Sequence, residues 1–197
     1  IPEFRLPNDL IDDVVQKMRA FVKELVAQVR RFQPRTTIVV GNTVASSVPE
    51  ILLQRTEADV AVMGEGDETI VGLLQTLERN GDLAGVKGIC YLDQGRFVAT
   101  AARPVVRNID ELPWIDFALF DAELYIQNAK ERASDGYPIP KETIRALPIS
   151  TARGCIGRCT FCYHAFINDP YRRRSSRSII DEVAALQQQF GRSEEHT

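Results

Sequence analysis

The stretch Cys155-Ile156-Gly157-Arg158-Cys159-Thr160-Phe161-Cys162 places three of the four cysteines of this sequence within eight residues. The apolar run before it, Ala146 to Thr151, predicts a strand. The run Ser178-Ile179-Ile180-Asp181 after it predicts a capping box that begins a helix ending near Phe190. A strand, a loop and a helix in this order form one βα unit. We therefore expect residues 146–191 to be the first βα unit of a larger domain, with the cysteines on its loop.

The C-x3-C-x2-C spacing lets three thiolates surround one inorganic centre. Iron–sulfur cubanes are usually held by four cysteines, so three ligands leave one iron open for a further ligand. A zinc site would need a fourth protein ligand, and His164 is the nearby candidate. Only Tyr163 separates His164 from Cys162, which is shorter than the spacing of ordinary zinc sites. The pattern favours a 4Fe–4S cluster on Cys155, Cys159 and Cys162, and a structural zinc knuckle is the alternative.

Residues 10–92 alternate between helical and strand patterns. Apolar residues at helical spacing predict a long amphipathic helix over 10–32, which Pro34 ends. The strands are predicted at 36–40, 59–63 and 86–92, the shorter helices at 49–55 and 67–79, and a hairpin arm at 97–100. This order is typical of a parallel, doubly wound sheet. Only about three of its usual five or six strands are visible, so we expect a partial Rossmann-like domain whose opening strands lie upstream of Ile1.

Composition narrows the classes of partner. The formal net charge is −3 at pH 7, which gives no electrostatic attraction to nucleic acid. No apolar run reaches the roughly eighteen residues of a membrane span. Closely spaced cysteines outside a disulfide framework indicate a reducing, cytoplasmic location. Cys90 stands apart in an apolar run and is predicted to be a small buried hydrophobe in a strand.

The cysteine motif resembles that of the radical S-adenosylmethionine (SAM) superfamily, including the aromatic Phe161 before the third cysteine. The resemblance implies a partial (β/α) barrel, truncated here, whose first loop carries the cluster. It further implies that the open iron binds SAM and that Phe161 and Tyr163 contact SAM. The implied partners are an external one-electron donor and a substrate that the sequence does not identify. In such proteins an arginine-rich stretch like residues 171–177 commonly follows the cluster. We interpret this stretch as a solvated basic face, with contact to the SAM carboxylate or an anionic substrate as the alternative.

Residues 36–116 are similar to the cobalamin-binding domain that precedes many radical SAM barrels. The similarity lies in Gly41-Asn42-Thr43, in the stretch from Asp59 to Thr69, and in the join Asp110-Glu111-Leu112-Pro113-Trp114. It implies that two strand-end loops hold the nucleotide tail of cobalamin. The candidate cofactor-binding residues there are Gly41, Asn42, Thr43, Glu65, Gly66 and Glu68. The alternative is a Rossmann-like domain that serves as scaffold without cobalamin.

Together these resemblances predict a fragment of a cobalamin-dependent radical SAM enzyme that transfers methyl groups or catalyses a radical rearrangement such as ring formation. The alternatives are a radical SAM enzyme without cobalamin and a non-catalytic Rossmann-like module with a zinc knuckle. A methylthiotransferase would carry three further cysteines upstream, and only Cys90 precedes the motif.

The expected organisation has four parts. They are a cobalamin-binding domain over 1–102, a connector with one or two short helices over 103–145, the start of the barrel over 146–191, and residues 192–197. The connector's scattered aromatics are expected to be packing anchors. The last six residues resemble translated sequencing adapter, so the chain is expected to be an inactive fragment.

Overall fold

The computed structural model describes residues 8–132, 140–157, 159, 162 and 169–191, with side chains described from residue 20 onward. The described residues fall into two compact units, one ending at Val105 and the other beginning at Val106. Within these residues, every helix is too short or too polar to cross a membrane. Residues 192–197, predicted to be adapter sequence, lie outside the described part.

The long N-terminal helix is confirmed as α1, Asn8–Phe32. The buried face of α1 is shifted by one residue from the apolar face that the sequence predicts, which includes Phe21 and Leu25. Val26 is buried against the core, whereas Phe21 and Leu25 are largely exposed. At the last turn of α1, Arg30 forms an ion pair with Asp59 at 2.7 Å. This pair joins the helix to the segment that leads into the second strand.

The sheet of the first unit contains β1 (Val39–Val40), β2 (Val60–Val62), β3 (Ile89–Asp93) and β4 (Arg96–Ala99), in that spatial order. β1 and β2 are parallel, but β2 and β3 are antiparallel, as are β3 and β4. The prediction that the third strand lies parallel to the first two is therefore wrong. Residues 79–88 bring the chain back to the carboxyl end of β2 before β3 begins, and Met63 N donates to Gly88 O there at 2.8 Å. The predicted β3–β4 hairpin is confirmed.

Three helices accompany this sheet: α2 (Asn42–Ser47), α3 (Pro49–Thr56) and α4 (Asp67–Glu78). α3 and α4 were predicted. α2 was predicted as a loop, because six residues rich in Asn, Thr and Ser have no apolar periodicity that would indicate a helix. The hydrophobic core residues with the least exposure lie on these helices and on β2 and β3: Ala45, Leu53, Val60, Ala61, Leu73, Ile89 and Cys90.

The second unit begins with short helices. Two 3-10 turns at Ile109–Glu111 and Phe117–Leu119 precede α5, Ala122–Arg132, and a third turn spans Lys141–Thr143. Of the aromatics expected to be anchors, Phe117 is buried and packs edge-on against Phe190, with ring centroids 6.2 Å apart. Trp114, Phe120 and Tyr125 are 42–54% exposed, so that prediction is wrong for them.

The strand before the cysteines is displaced from its predicted place. Among the described residues, Ala146 to Thr151 is not a strand, and the ladder forms one step later, between β5 (Ala152–Arg153) and β6 (Arg172–Arg173). The two strands are antiparallel. A run of apolar residues becomes a strand only where a neighbour supplies hydrogen bonds, and here the neighbour lies opposite Ala152 and Arg153.

The last helix, α6, spans Ser176–Phe190 and therefore begins earlier than the predicted capping box. The N-cap is Ser175, whose Oγ accepts a hydrogen bond from Ser178 N at 3.2 Å. Ser178 is the third residue of the helix rather than its cap. Two serines three residues apart both satisfy the N-terminal pattern, and the structure uses the first.

Candidate functional site

The described part of the cysteine loop contains all three predicted ligands. Cys155, Cys159 and Cys162 are exposed and free. Gly157 lies between the first two: a Cβ placed on it would be 3.4 Å from Cys155 Sγ and 3.5 Å from Cys159 Sγ. The backbone N–H of Gly157 donates to Cys155 Sγ at 3.3 Å. The chain therefore bends closely between two thiols, and a side chain at residue 157 would occupy the space beside both.

The three thiols do not form an assembled metal site. No group of three or more His, Cys, Asp or Glu side chains in the described residues is arranged to hold a metal ion. Phe161 and Tyr163, the predicted SAM contacts, and His164, the alternative zinc ligand, lie outside the described residues. The fit to a cluster therefore depends on the donors: three accessible thiols in one short loop are the ligands that iron–sulfur clusters use.

The two ends of the cysteine loop meet at Gly154. Its φ is +80°, in the region that favours glycine. A Cβ at this residue would lie 2.6 Å from Pro170 O. The same carbonyl accepts a hydrogen bond from Arg172 Nε at 3.1 Å. The first residue of the loop thus packs directly on the backbone of its last residues.

The arginine-rich stretch is not the solvated face that its composition indicated. Arg172 and Arg174 are only 8% and 9% exposed, whereas Arg173 and Arg177 point to solvent. Arg172 Nη1 donates to Val106 O at 2.7 Å. Side chains alternate between the two faces of a strand, so along β6 and the residue after it Arg172 and Arg174 point inward and Arg173 points to solvent. The prediction failed because it treated the run as uniform.

Arg174 has several partners in this region. It forms an ion pair with Glu182, which is 3% exposed. It also donates to Ser178 Oγ at 2.8 Å and to Ser150 O at 3.0 Å. Nearby, the hydrogen bond from Ser175 is the main reason that the pKa of Asp110 is held below its ordinary value, and the charge of Arg174 acts in the same direction. Sequence reasoning missed Glu182, because Arg174 lies outside α6 and no helical spacing relates the two residues.

In the first unit, the end of β1 passes directly into α2. Asn42 has a φ of +76°, unusual for a residue other than glycine, and its side-chain oxygen accepts from the backbone N–H of Thr43. Asparagine tolerates this conformation because its side chain can bond locally. Gly41, the N-cap of α2, has open space where a side chain would be. Backbone strain of this kind is often found at ligand sites.

The end of β2 lies beside this turn. Ser46 Oγ accepts a hydrogen bond from Gly64 N at 3.0 Å, which joins the two predicted strand-end loops. Gly64 has a φ of +69°, and Gly66 is the N-cap of α4. The structure therefore brings the two candidate loops together. Ser46, which holds them, was not predicted, because nothing in its sequence context distinguishes it from Ser47.

Glu68, in the first turn of α4, interacts with Arg103. The distance from Arg103 Nη1 to Glu68 Oε2 is 3.5 Å, and Arg103 Nε donates to Thr69 Oγ1 at 2.9 Å. Thr69 Oγ1 also donates to the backbone oxygen of Glu65 at 3.3 Å. The carboxylate of Glu68 remains 57% exposed, so it is accessible to a ligand at this helix end.

Cys90 has the structural role that was predicted. It is fully buried in β3, and burial raises the pKa of its thiol. Its Sγ lies 3.2 Å from Met63 Sδ. A buried, protonated thiol is a poor metal ligand, which separates Cys90 from the other three cysteines.

Comparison with known proteins places the chain among longer enzymes. It is 30% identical over 145 residues to the anaerobic magnesium-protoporphyrin IX monomethyl ester cyclase of Cereibacter sphaeroides, and this match covers 72% of the chain but 22% of the cyclase. No protein-family model matches the chain.

Solved structures share its fold. The cobalamin-dependent SAM radical enzyme OxsB, with aqua-cobalamin and SAM bound, superposes with a TM-score of 0.65 at 23% identity, covering 91% of the chain and 23% of OxsB. The radical SAM methyltransferase TsrM from Kitasatospora setae, with cobalamin and a [4Fe–4S] cluster bound, gives 0.56 at 21% identity, covering 86% of the chain and 32% of TsrM. Structural neighbours of the chain thus include cobalamin-binding radical SAM enzymes, which agrees with the predicted resemblance. The chain spans a fifth to a third of each protein named here.

Proposed function

We propose that this chain is the part of a cobalamin-dependent radical SAM enzyme that holds the iron–sulfur cluster and the nucleotide tail of cobalamin. The observation that carries the proposal is the loop in which Cys155, Cys159 and Cys162 are exposed around Gly157, in a chain that shares its fold with TsrM. When bound, the cluster would supply the electron that cleaves SAM and produces a radical.

The residues of the chain would act by binding and positioning. The three cysteines would bind as thiolates, and the Gly157 N–H that donates to Cys155 Sγ would stabilise negative charge on that sulfur. Phe161 and Tyr163 are proposed to contact SAM. Because the cluster needs only three protein ligands, one iron would remain open for the amino and carboxylate groups of SAM.

The strand-end loops of the first unit are proposed to bind cobalamin. Their candidate residues are Gly41, Asn42, Thr43, Glu65, Gly66 and Glu68. Open space at Gly41 and Gly64 permits a close approach, and the accessible N-terminus of the 12-residue helix α4 offers backbone N–H groups. Ligands of α/β sheets bind beyond the carboxyl ends of strands, where these loops lie.

The wider reaction is proposed from the relatives. TsrM is a methyltransferase and the Cereibacter protein is a cyclase. We therefore propose methyl transfer or ring formation as the reaction type. We propose the order of domains given by the sequence, with the cobalamin-binding part at 1–102, a connector at 103–145 and the start of the barrel at 146–191. An external donor would supply the electron.

Anaerobic reconstitution with iron and sulfide tests the cluster. The chain should develop a broad brown charge-transfer absorption, and Cys159→Ala should lose it. Cys90→Ala is the matched control, because it removes a buried cysteine that binds no metal, and it should retain the absorption. A colourless wild-type protein that holds one zinc ion would contradict the proposal and support the zinc knuckle.

Titration with hydroxocobalamin, followed by its visible spectrum or by calorimetry, tests the second cofactor. Gly41→Trp should abolish binding, because the side chain would fill the open space at the end of β1. The matched control is Gly85→Trp, where the glycine also has open space but belongs to the turn Leu83–Gly85 rather than to either strand-end loop. A wild-type chain that binds a cluster but no cobalamin would favour the radical SAM enzyme without cobalamin.

A further inference from the structure

The ends of the cysteine loop are held by interactions that neither the motif nor the cofactors explain. The loop leaves β5 at Gly154 and returns through Pro170 into β6. In the β5–β6 ladder, Arg153 pairs with Arg172. The point of closest approach is Gly154, where a Cβ would lie 2.6 Å from Pro170 O and 3.2 Å from Tyr171 Cα.

The carbonyl that faces Gly154 cannot move away freely. Arg172 Nε donates to Pro170 O at 3.1 Å, and Arg172 Nη1 is fixed to Val106 O at 2.7 Å. Arg172 is itself buried. A side chain at residue 154 would therefore push against backbone that is held in place, rather than against the end of a flexible side chain.

Arg174 adds a second connection just beyond β6. Its backbone N–H donates to Thr151 O at 2.9 Å, and its guanidinium donates to Ser150 O at 3.0 Å. The Nη1 atom that donates to Ser150 O also pairs with Glu182 on α6, and Nε and Nη2 donate to Ser178 Oγ on that helix. One buried side chain thus links the segment that enters the loop to the helix that follows it.

We propose that Gly154 and Arg174 are positioning residues for the cluster ligands, an inference that rests on the proposed function. The thiols themselves are exposed and do not form an assembled metal site. What the chain fixes is the separation and direction of the two ends of their loop. Fixed ends restrict the conformations of the free loop, and so reduce the entropy lost when three thiolates bind one cluster.

The test measures cluster retention in the complete 197-residue chain after anaerobic reconstitution. Gly154→Ala should release iron to a chelator about tenfold faster than wild type, as changes beside metal ligands commonly do. Gly191→Ala is the matched control: its φ of +84° imposes the same kind of backbone strain, but an added Cβ has open space. It should release iron at the wild-type rate.

A second variant covers the case in which Gly154→Ala fails to fold. Ser178→Ala removes the hydroxyl that accepts from Arg174 and leaves the Arg174–Glu182 pair in place. It should also speed iron release. It should change the electron paramagnetic resonance spectrum of the reduced cluster in samples prepared well below the melting temperature of the protein, where the chain is folded. A purely structural role would lower the melting temperature without altering that spectrum.

The outcomes separate the two proposals. Wild-type release rates and an unchanged spectrum in both Gly154→Ala and Ser178→Ala would overturn the positioning role alone. A wild-type chain that takes up no iron–sulfur cluster would overturn the proposed function, and the positioning role with it.

Discussion

The two candidate sites follow short strands, but they are held in different ways. In the first unit, α2 begins at the end of β1, and Ser46 bonds Gly64 N across to the end of β2, so the protein alone brings the two loops together. In the second unit, the structure fixes the ends of the cysteine loop through Gly154 and Arg174, and leaves the three thiols exposed and unassembled. A site for a large organic ligand can be preformed by backbone. A site for a cluster acquires its final geometry from the metal–thiolate bonds.

Each unit contains an ion pair between an arginine and an acidic residue, and the two pairs differ in burial. Arg30–Asp59 in the first unit is partly exposed, and Arg174–Glu182 in the second is buried on both sides. A buried pair is costly to break, because the remaining charge is left without a partner in a poorly solvated place. Among the described residues near this pair, the strand ladder is short, with two residues on each strand.

The largest expected effect is on this buried pair. Glu182→Ala should lower the free energy of unfolding of the second unit by about 3–5 kcal/mol. The control is Asp181→Ala, which breaks an exposed pair with Arg177 on the same helix, and it should cost about 0.5 kcal/mol or less. Urea denaturation followed by the fluorescence of Trp114, the single tryptophan of the chain, reports on this unit. Equal costs for the two variants would contradict the contrast between buried and exposed pairs.

A smaller loss of stability is expected in the first unit, where a hydrogen bond joins the two strand-end loops. Ser46→Ala removes the acceptor of Gly64 N and should lower the free energy of unfolding by about 0.5–1.5 kcal/mol. It should also weaken hydroxocobalamin binding if the two loops form that site. Ser47→Ala is the neighbouring control, because its hydroxyl donates to Thr43 O within α2. Circular dichroism and calorimetric titration measure the two effects. Loss of binding in the control but not in Ser46→Ala would show that the bond between the loops is unimportant.

Much of the fold could be predicted from local sequence, because the helices and strands of the first unit have clear periodicity. The direction of β3 could not, since a strand pattern does not encode which neighbour the strand will pair with. The same limit displaced the predicted strand 146–151 in favour of Ala152–Arg153, whose partner is about twenty residues further along the chain.

Some residues of the candidate sites could be predicted from sequence spacing, and others could not. The three cysteines were identified from spacing, because metal ligands in one loop are close in sequence. Glu182 and Ser46 act on residues in other elements, through contacts that only the folded chain creates. The two inward arginines required knowledge of β6, a strand of two residues that no propensity argument would predict.

The smallest expected effect concerns Asp110, which caps the backbone N–H of Ser175 at the start of α6 with both carboxylate oxygens, at 3.0 and 3.1 Å. These hydrogen bonds hold its pKa below the ordinary value, with Arg174 contributing in the same sense. A carboxyl whose pKa is lowered on folding stabilises the protein at pH values above the unfolded pKa, and this stabilisation is lost as pH falls through the folded pKa.

Asp110→Asn should therefore lower the melting temperature at pH 7, and the difference from wild type should shrink below about pH 4, near the ordinary pKa of aspartate. Glu142→Gln, which removes a negative charge from an exposed residue of the same unit, controls for net charge and should show no such convergence. Melting curves at closely spaced pH values measure both. A constant difference between wild type and Asp110→Asn from pH 7 to 3 would mean that the carboxylate charge does not stabilise the start of α6. The helix after the cysteine loop would then be held by the Arg174–Glu182 pair and its own N-cap.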